Sequence, residues 1–169
     1  MNETKWLIAR EIPRLRRYAL TLADSPAAAD DLVQDTLERA IRKRHLWHGR
    51  GSMRSWLYRI LFNVFMNQKP HRQRRQGEVE IEEAPATAVA PSQEQVSACR
   101  DIATALHSLP VEQRAAIALV ALEGLPYDEA AAALDIPVGT LRSRLSRGRD
   151  QLRELYSEPG QAPHLRRVK

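Results

Sequence analysis

Apolar residues recur three or four positions apart along almost the whole chain, and no stretch alternates with a period of two, so the pattern predicts an all-α protein. Trp6, Leu7, Ile8, Ile12, Leu15, Tyr18, Ala19 and Leu22 mark a first helix, interrupted or bent near Pro13. Ser25-Pro26 is a helix start, with serine as cap and proline at the first position. The helix that follows should turn Leu32, Val33, Leu37, Ala40 and Ile41 inward. Gly49 and Gly51 break the chain, and Ser52 can cap a third helix with Leu57, Ile60, Leu61, Val64 and Phe65 on its inner face. Pro70 is expected to end that helix.

From Gly77 to about Gln95 the helical period vanishes. The segment GEVEIEEAPATAVAPSQEQ carries prolines, small residues and acids, and reads as a flexible linker. Helicity resumes near Ser97 and runs to about His107. Pro110 opens another helix, with Ile117, Leu119, Val120 and Leu122 apolar and Gly124 as its stop. The division expected is a first helical domain over 1–76, an acidic linker over 77–96, a second helical domain over 97–157 and a disordered tail over 158–169.

Leu125 to Leu155, LPYDEAAAALDIPVGTLRSRLSRGRDQLREL, holds two helices and a tight turn. The first runs from about Tyr127 to Ala133, the break falls at Leu134-Asp135-Ile136, and Pro137 sits in the first turn of the second. Val138, Leu141, Leu145, Gly148 and Leu152 form one apolar stripe; Arg142, Ser143, Ser146, Arg147 and Arg149 lie off it. A short helix behind a Ser/Arg-faced helix suits the major groove, where arginine reads guanine and hydroxyls hold phosphates or bases. The plainer alternative is an alanine-rich hairpin with a solvated charged face.

The chain has 169 residues and a formal charge of +5, with a pI of about 9.8, which favours polyanionic partners. From Arg39 to Gly77 there is no acid at all, while Asp30, Asp31, Asp35 and Glu38 precede that basic block and Glu78, Glu80, Glu82 and Glu83 follow it. Such segregation indicates surfaces with different partners. The single Cys99 has no partner for an internal disulfide, so a reducing, cytoplasmic setting is expected. No long apolar run suggests a signal peptide or membrane insertion. His45, His48, His71, His107 and His164 lack metal-ligand spacing, and phosphate-binding glycine loops and nucleophile motifs are missing. Neither enzyme chemistry nor a cofactor is expected.

Two further faces stand out. Asp31, Gln34, Asp35, Glu38 and Arg42 make a polar, mostly acidic stripe on the second helix, either a solvated face or a protein-docking one. Arg59, Asn63 and Asn67 repeat every four residues on the third helix, with Trp56 and Trp47 nearby in sequence. Basic, amide and aromatic groups together suit an unstacked single strand. Trp56 reads as core; Trp47 reads equally as core or as a stacking platform.

Three segments together resemble the bacterial sigma factors of the extracytoplasmic-function (ECF) group: DDLVQDTLERA, similar to region 2.2; SMRSWLYRILFNVFMNQ, similar to regions 2.3 and 2.4; and LPVEQRAAIALVALEGLPYDEAAAALDIPVGTLRSRLSRGRDQLREL, similar to region 4. The resemblance implies a promoter-specificity subunit with two helical DNA-binding domains and neither domain 1.1 nor a folded domain 3. It implies that Asp31, Gln34, Asp35 and Glu38 dock on the β′ coiled coil of core RNA polymerase, and that region 4 meets the β flap. It places a flipped-out −10 base against Asn63 and the adjoining loop, and extends that site to Arg59, Asn67 and Trp47. It sets Arg142, Ser143, Ser146 and Arg147 nearest the −35 bases, with Thr140 and Arg149 toward phosphates. The acidic linker would follow the path toward the active site and RNA exit. The basic run from Asn67 to Arg75 would hold duplex phosphates. An anti-sigma factor is an expected partner, because many relatives are controlled that way. Two departures are visible: Asp135 stands where the family's turn usually has glycine, and Ser146 stands where relatives can carry a larger side chain. The competing readings are a stand-alone helix-turn-helix regulator and a sigma-mimicking decoy that titrates an anti-sigma factor.

Overall fold

The computed structural model describes residues 3–47, 51–73 and 102–157. These residues form helices and turns, with no strand among them. The expected linker over 77–96, its acids Glu78, Glu80, Glu82 and Glu83, the tail over 158–169, Cys99 and His48 lie outside the described residues.

Helix α1 spans Glu3–Arg10 and α2 spans Ile12–Leu22. Pro13 falls in the first turn of α2, where its missing N–H costs nothing, so the expected interruption is a clean restart. Helix α3, Pro26–Lys43, begins as its sequence demands: the Ser25 side chain accepts from the Ala28 N–H at 3.2 Å. A 3₁₀ turn over Arg44–Leu46 follows. In α4, Met53–Gln73, Ser52 Oγ accepts from the Ser55 N–H at 3.1 Å and caps the helix. The helix runs past Pro70, contrary to expectation. An interior proline removes one backbone bond and crowds the carbonyl four residues back, which weakens a helix without having to end it, and here the helix continues to Gln73. Ile41, expected inside, is 39% exposed, because it falls at the end of α3 beyond the last buried position, Ala40.

The second half comprises α5 over 102–108, α6 over Val111–Ile117, a π-helical turn over Ala118–Leu122, α7 over Tyr127–Leu134 and α8 over Val138–Ser157. The π turn is closed by the Glu123 N–H on the Ala118 carbonyl at 2.9 Å. Gly124 then takes a left-handed φ of +67° and ends the segment.

The halves share one core. Leu15, Tyr18, Leu22, Leu32, Leu57 and Leu61 fill the first, and Leu119, Leu141 and Leu145 the second, within a continuous buried cluster. The junction is α7 packed on α4, with α2 reaching α6. The short side chains of Ala130, Ala131 and Ala133, all buried, let α7 approach closely.

Candidate nucleic-acid and polymerase interface

The turn between α7 and α8 is built on Asp135, with φ 55° and ψ 45°. The Ile136 N–H bonds the Ala131 carbonyl at 3.0 Å and the Asp135 N–H the Ala132 carbonyl at 3.3 Å. This is a Schellman closure with aspartate in the left-handed position that glycine fills without strain. Pro137 lies one residue ahead of α8, not within it, and its carbonyl accepts the first helical bond, from Leu141 N–H at 3.1 Å.

Helix α8 divides as its sequence indicates. Leu141, Leu145 and Gly148 are buried, with Val138 and Leu152 packed against the core. A Cβ at position 148 would stand 2.6 Å from Ile117 Cδ1, so the absent side chain sets how closely α8 approaches α6. Arg142, Ser143, Ser146, Arg147 and Arg149 are exposed and Thr140 is half-buried. Ser143 Oγ donates to the Gly139 carbonyl at 3.2 Å, and Ser146 Oγ to Asp150 at 3.5 Å. Among the described residues, nothing pairs with Arg142, Arg147 or Arg149.

On α4, Arg59, Asn63 and Asn67 are exposed along one side. Arg59 is engaged: its guanidinium donates to Asp135 Oδ1 at 2.8 Å. Trp47 is half-buried, with an enclosed indole N–H that finds no hydrogen-bond partner among the described residues. Trp56 packs against the core. On α3, Asp31, Gln34 and Glu38 are exposed. Asp35 is half-buried and accepts from Gln68 Nε2 of α4 at 2.6 Å, while Glu38 pairs with Arg42 at 3.3 Å.

Sequence reasoning missed Glu123. Its side chain is fully enclosed and accepts from Arg17 at 2.6 and 2.9 Å and from the Tyr58 hydroxyl at 2.6 Å. Burial, then the neighbouring carboxylate, pushes the Tyr58 phenol far above its ordinary range and keeps it a donor. Tyr18 stacks edge-on against Tyr58, with centroids 5.1 Å apart. Beside this cluster, Ser52 Oγ donates to the Glu129 carboxylate and Ser55 Oγ to the Glu129 carbonyl at 3.0 Å. The only sequence signal was an acid at the end of an apolar run, just before Gly124.

Two family models match in tandem. The Sigma2 domain of PhyR covers residues 8–62, and Sigma-70, region 4, covers residues 99–152. The ECF RNA polymerase sigma factor EcfG of Rhodopseudomonas palustris is 34% identical over 153 residues, which span 90% of this chain and 84% of that protein. The chain belongs to the ECF RNA polymerase sigma factors. SigE of Mycolicibacterium smegmatis, another ECF sigma factor, is 36% identical over 161 residues, but the match spans only 61% of SigE's length. The sigma factor RpoE of Bartonella quintana, solved in complex with the anti-sigma factor NepR, superposes with a TM-score of 0.77 at 31% identity, covering 94% of this chain and all of RpoE. Within this ECF sigma factor, α1–α4 are thus the region 2 half and α5–α8 the region 4 half. No described helix is long and apolar enough to cross a membrane.

Proposed function

We propose that this ECF sigma factor directs core RNA polymerase to promoters by reading a −35 element with α8 and a −10 element with α4. The observation that carries this reading is the α8 face, where Arg142, Arg147 and Arg149 are exposed and, among the described residues, unpaired behind a closed helix-turn-helix. Arg142, Ser143, Ser146 and Arg147 face the bases, and Thr140 and Arg149 hold phosphates. On α4, Asn63 takes the exposed edge of a flipped −10 base, with Arg59, Asn67 and Trp47 around it. Asp31, Gln34 and Glu38 dock on the β′ coiled coil, with Asp35 set back against Gln68; region 4 meets the β flap. The domain boundaries are 1–76, 77–96 and 97–157, and the workplace is the cytoplasm. No catalytic step or cofactor belongs to this role. An anti-sigma factor that occludes both halves is the regulatory partner; the fold shared with NepR-bound RpoE supports it.

A second reading, a sigma-like module that captures an anti-sigma factor, is favoured by the match of residues 8–62 to the Sigma2 domain of PhyR. Such a module has no use for the arginine face of α8. Selection from a random duplex library by core polymerase plus this chain separates the readings. Two sequence blocks with a fixed spacer support the sigma role, a single palindromic block the stand-alone regulator, and no enrichment the decoy.

A further inference from the structure

The acids of α3 do not have equal partners. Asp30 is paired with Arg16 at 2.6 Å and Glu38 with Arg42 at 3.3 Å, so both carboxylates carry a counter-charge. Asp31 is exposed and has no partner among the described residues. Asp35 differs from all three. It is half-buried, and its Oδ2 accepts from a neutral amide, Gln68 Nε2 of α4, at 2.6 Å. Among the described residues no cation pairs with it, and its other oxygen, Oδ1, accepts from none of them. Asp31 and Asp35 stand four apart, on one side of the helix, so the uncompensated charge of the stripe is theirs.

The neutrality of the Asp35 partner matters. Gln68 lies in the acid-free stretch from Arg39 to Gly77, which is rich in arginine and lysine, yet the side chain that meets Asp35 is an amide. A lysine or arginine there would form an ion pair and cancel the charge that a cationic partner seeks. An apolar side chain would leave the carboxylate free to rotate. An amide donates to one oxygen and adds no charge, so it orients the carboxylate and leaves it fully anionic.

We propose that Gln68 is a positioning residue for polymerase docking, holding Asp35 so that Oδ1 is presented to a lysine or arginine of the core enzyme. The proposal rests on the reading of the α3 acidic face as the core-docking surface. Its physical basis is preorganisation. A carboxylate already held in place loses less freedom on docking, an advantage of about threefold to tenfold in affinity for one side chain. The helix that docks is α3, but the pose of one of its two free charges is set from α4, 33 residues further along the chain.

The test measures the affinity of the full chain for core RNA polymerase, by competition with labelled wild-type chain, and an unfolding midpoint for each variant. Gln68→Leu keeps the bulk and removes the donor; affinity should fall about threefold to tenfold. Gln68→Lys should lower it at least as much and make it less sensitive to added salt, because a docking charge has been cancelled. A residue that only ties α3 to α4 would move the unfolding midpoint and neither of these readouts. The deciding comparison is made in an Asp35→Ala background, where Gln68 has no carboxylate to hold. There Gln68→Leu should change affinity by no more than about twofold, the tolerance within which uncoupled changes add. Should Gln68→Leu not fold, Gln68→Ala carries the same comparison. Wild-type affinity in the folded Gln68 variant overturns the proposal, and so does a loss that persists without Asp35. Asp31→Lys, measured alongside, judges the docking reading by itself. If it binds core polymerase as wild type does, the α3 face is not the docking surface. If it binds weakly while Gln68→Leu does not, the positioning role alone fails.

Discussion

The Asp135 carboxylate accepts from the Arg59 guanidinium at 2.8 Å across 76 residues of sequence. Asp135 closes the turn of the helix-turn-helix, and Arg59 begins the polar side of α4. One exposed ion pair contributes little stability on its own. Its position matters more, because it brings the proposed readers of two distant promoter elements into contact. The buried Glu123 and the α4–α7 packing also join the region 4 half to the region 2 half.

Arg142→Ala and Arg147→Ala should each weaken promoter binding of the polymerase complex by about 1–3 kcal/mol, the worth of a bidentate guanine contact. Both side chains are exposed, so thermal stability should not change. The check is titration of labelled promoter duplex alongside an unfolding curve. Wild-type affinity in both variants would mean that another face of α8 reads the DNA.

Charge reversal at Asp31 should lower affinity for core polymerase, by about 2–5 kcal/mol if the docked carboxylate is desolvated. Asp35→Lys should do so too, but with a stability loss, because it also breaks the 2.6 Å bond from Gln68. Retention on the isolated β′ coiled coil, compared with the unfolding midpoint of each variant, separates the two effects. Full retention of Asp31→Lys removes the acidic stripe from the interface.

How much of this was legible in the sequence varied with the physical scale of each feature. Local chemistry was legible: the Ser25 cap, the break at Asp135 and the buried stripe of Leu141, Leu145 and Gly148 all follow from short-range rules. Ile41 was misread because helical periodicity does not reveal where the covering neighbours stop. Pro70 was misread because a proline weakens a helix without having to end it. The Glu123 cluster was invisible, since its partners Arg17 and Tyr58 lie 106 and 65 residues away in sequence and only the tertiary fold unites them. Arg59 was legible as a surface cation, but its capture by Asp135 was not.

Gly148 faces Ile117 Cδ1 and Gln113 Cβ, at 2.6 and 3.3 Å from where a Cβ would stand. Gly148→Ala should be near neutral, because the end of the Ile117 side chain must move and Gln113 Cβ must give by a few tenths of an ångström, against a gain of about 1 kcal/mol in helix propensity. Gly148→Val should cost about 1–3 kcal/mol by forcing α8 away from α6. Denaturant unfolding of both variants is the check. Equal stability would show that the α6–α8 spacing does not depend on this position.

His107 should make the protein acid-sensitive. Its Nδ1 accepts from Arg114, a buried cation, and partial burial of the ring followed by the Arg114 charge holds its pKa below the ordinary 6.5, with a backbone hydrogen bond to Leu20 and then Asp24 opposing. The unfolded chain therefore binds the proton first. Its contribution to stability is complete above about pH 6.5 and is lost as pH falls through the lower folded value. Unfolding midpoints measured across this range should fall with acid, and His107→Gln should flatten that part of the profile. A slope unchanged by the substitution would assign the acid sensitivity to other groups.

Run-off transcription on genomic fragments with purified core polymerase tests the central claim most directly. The account predicts that this chain makes core polymerase start at discrete sites preceded by two spaced sequence elements, and that Arg142→Ala and Asp31→Lys each reduce those transcripts. Transcripts that do not differ from those of core polymerase alone, from a chain shown to be folded, would contradict it.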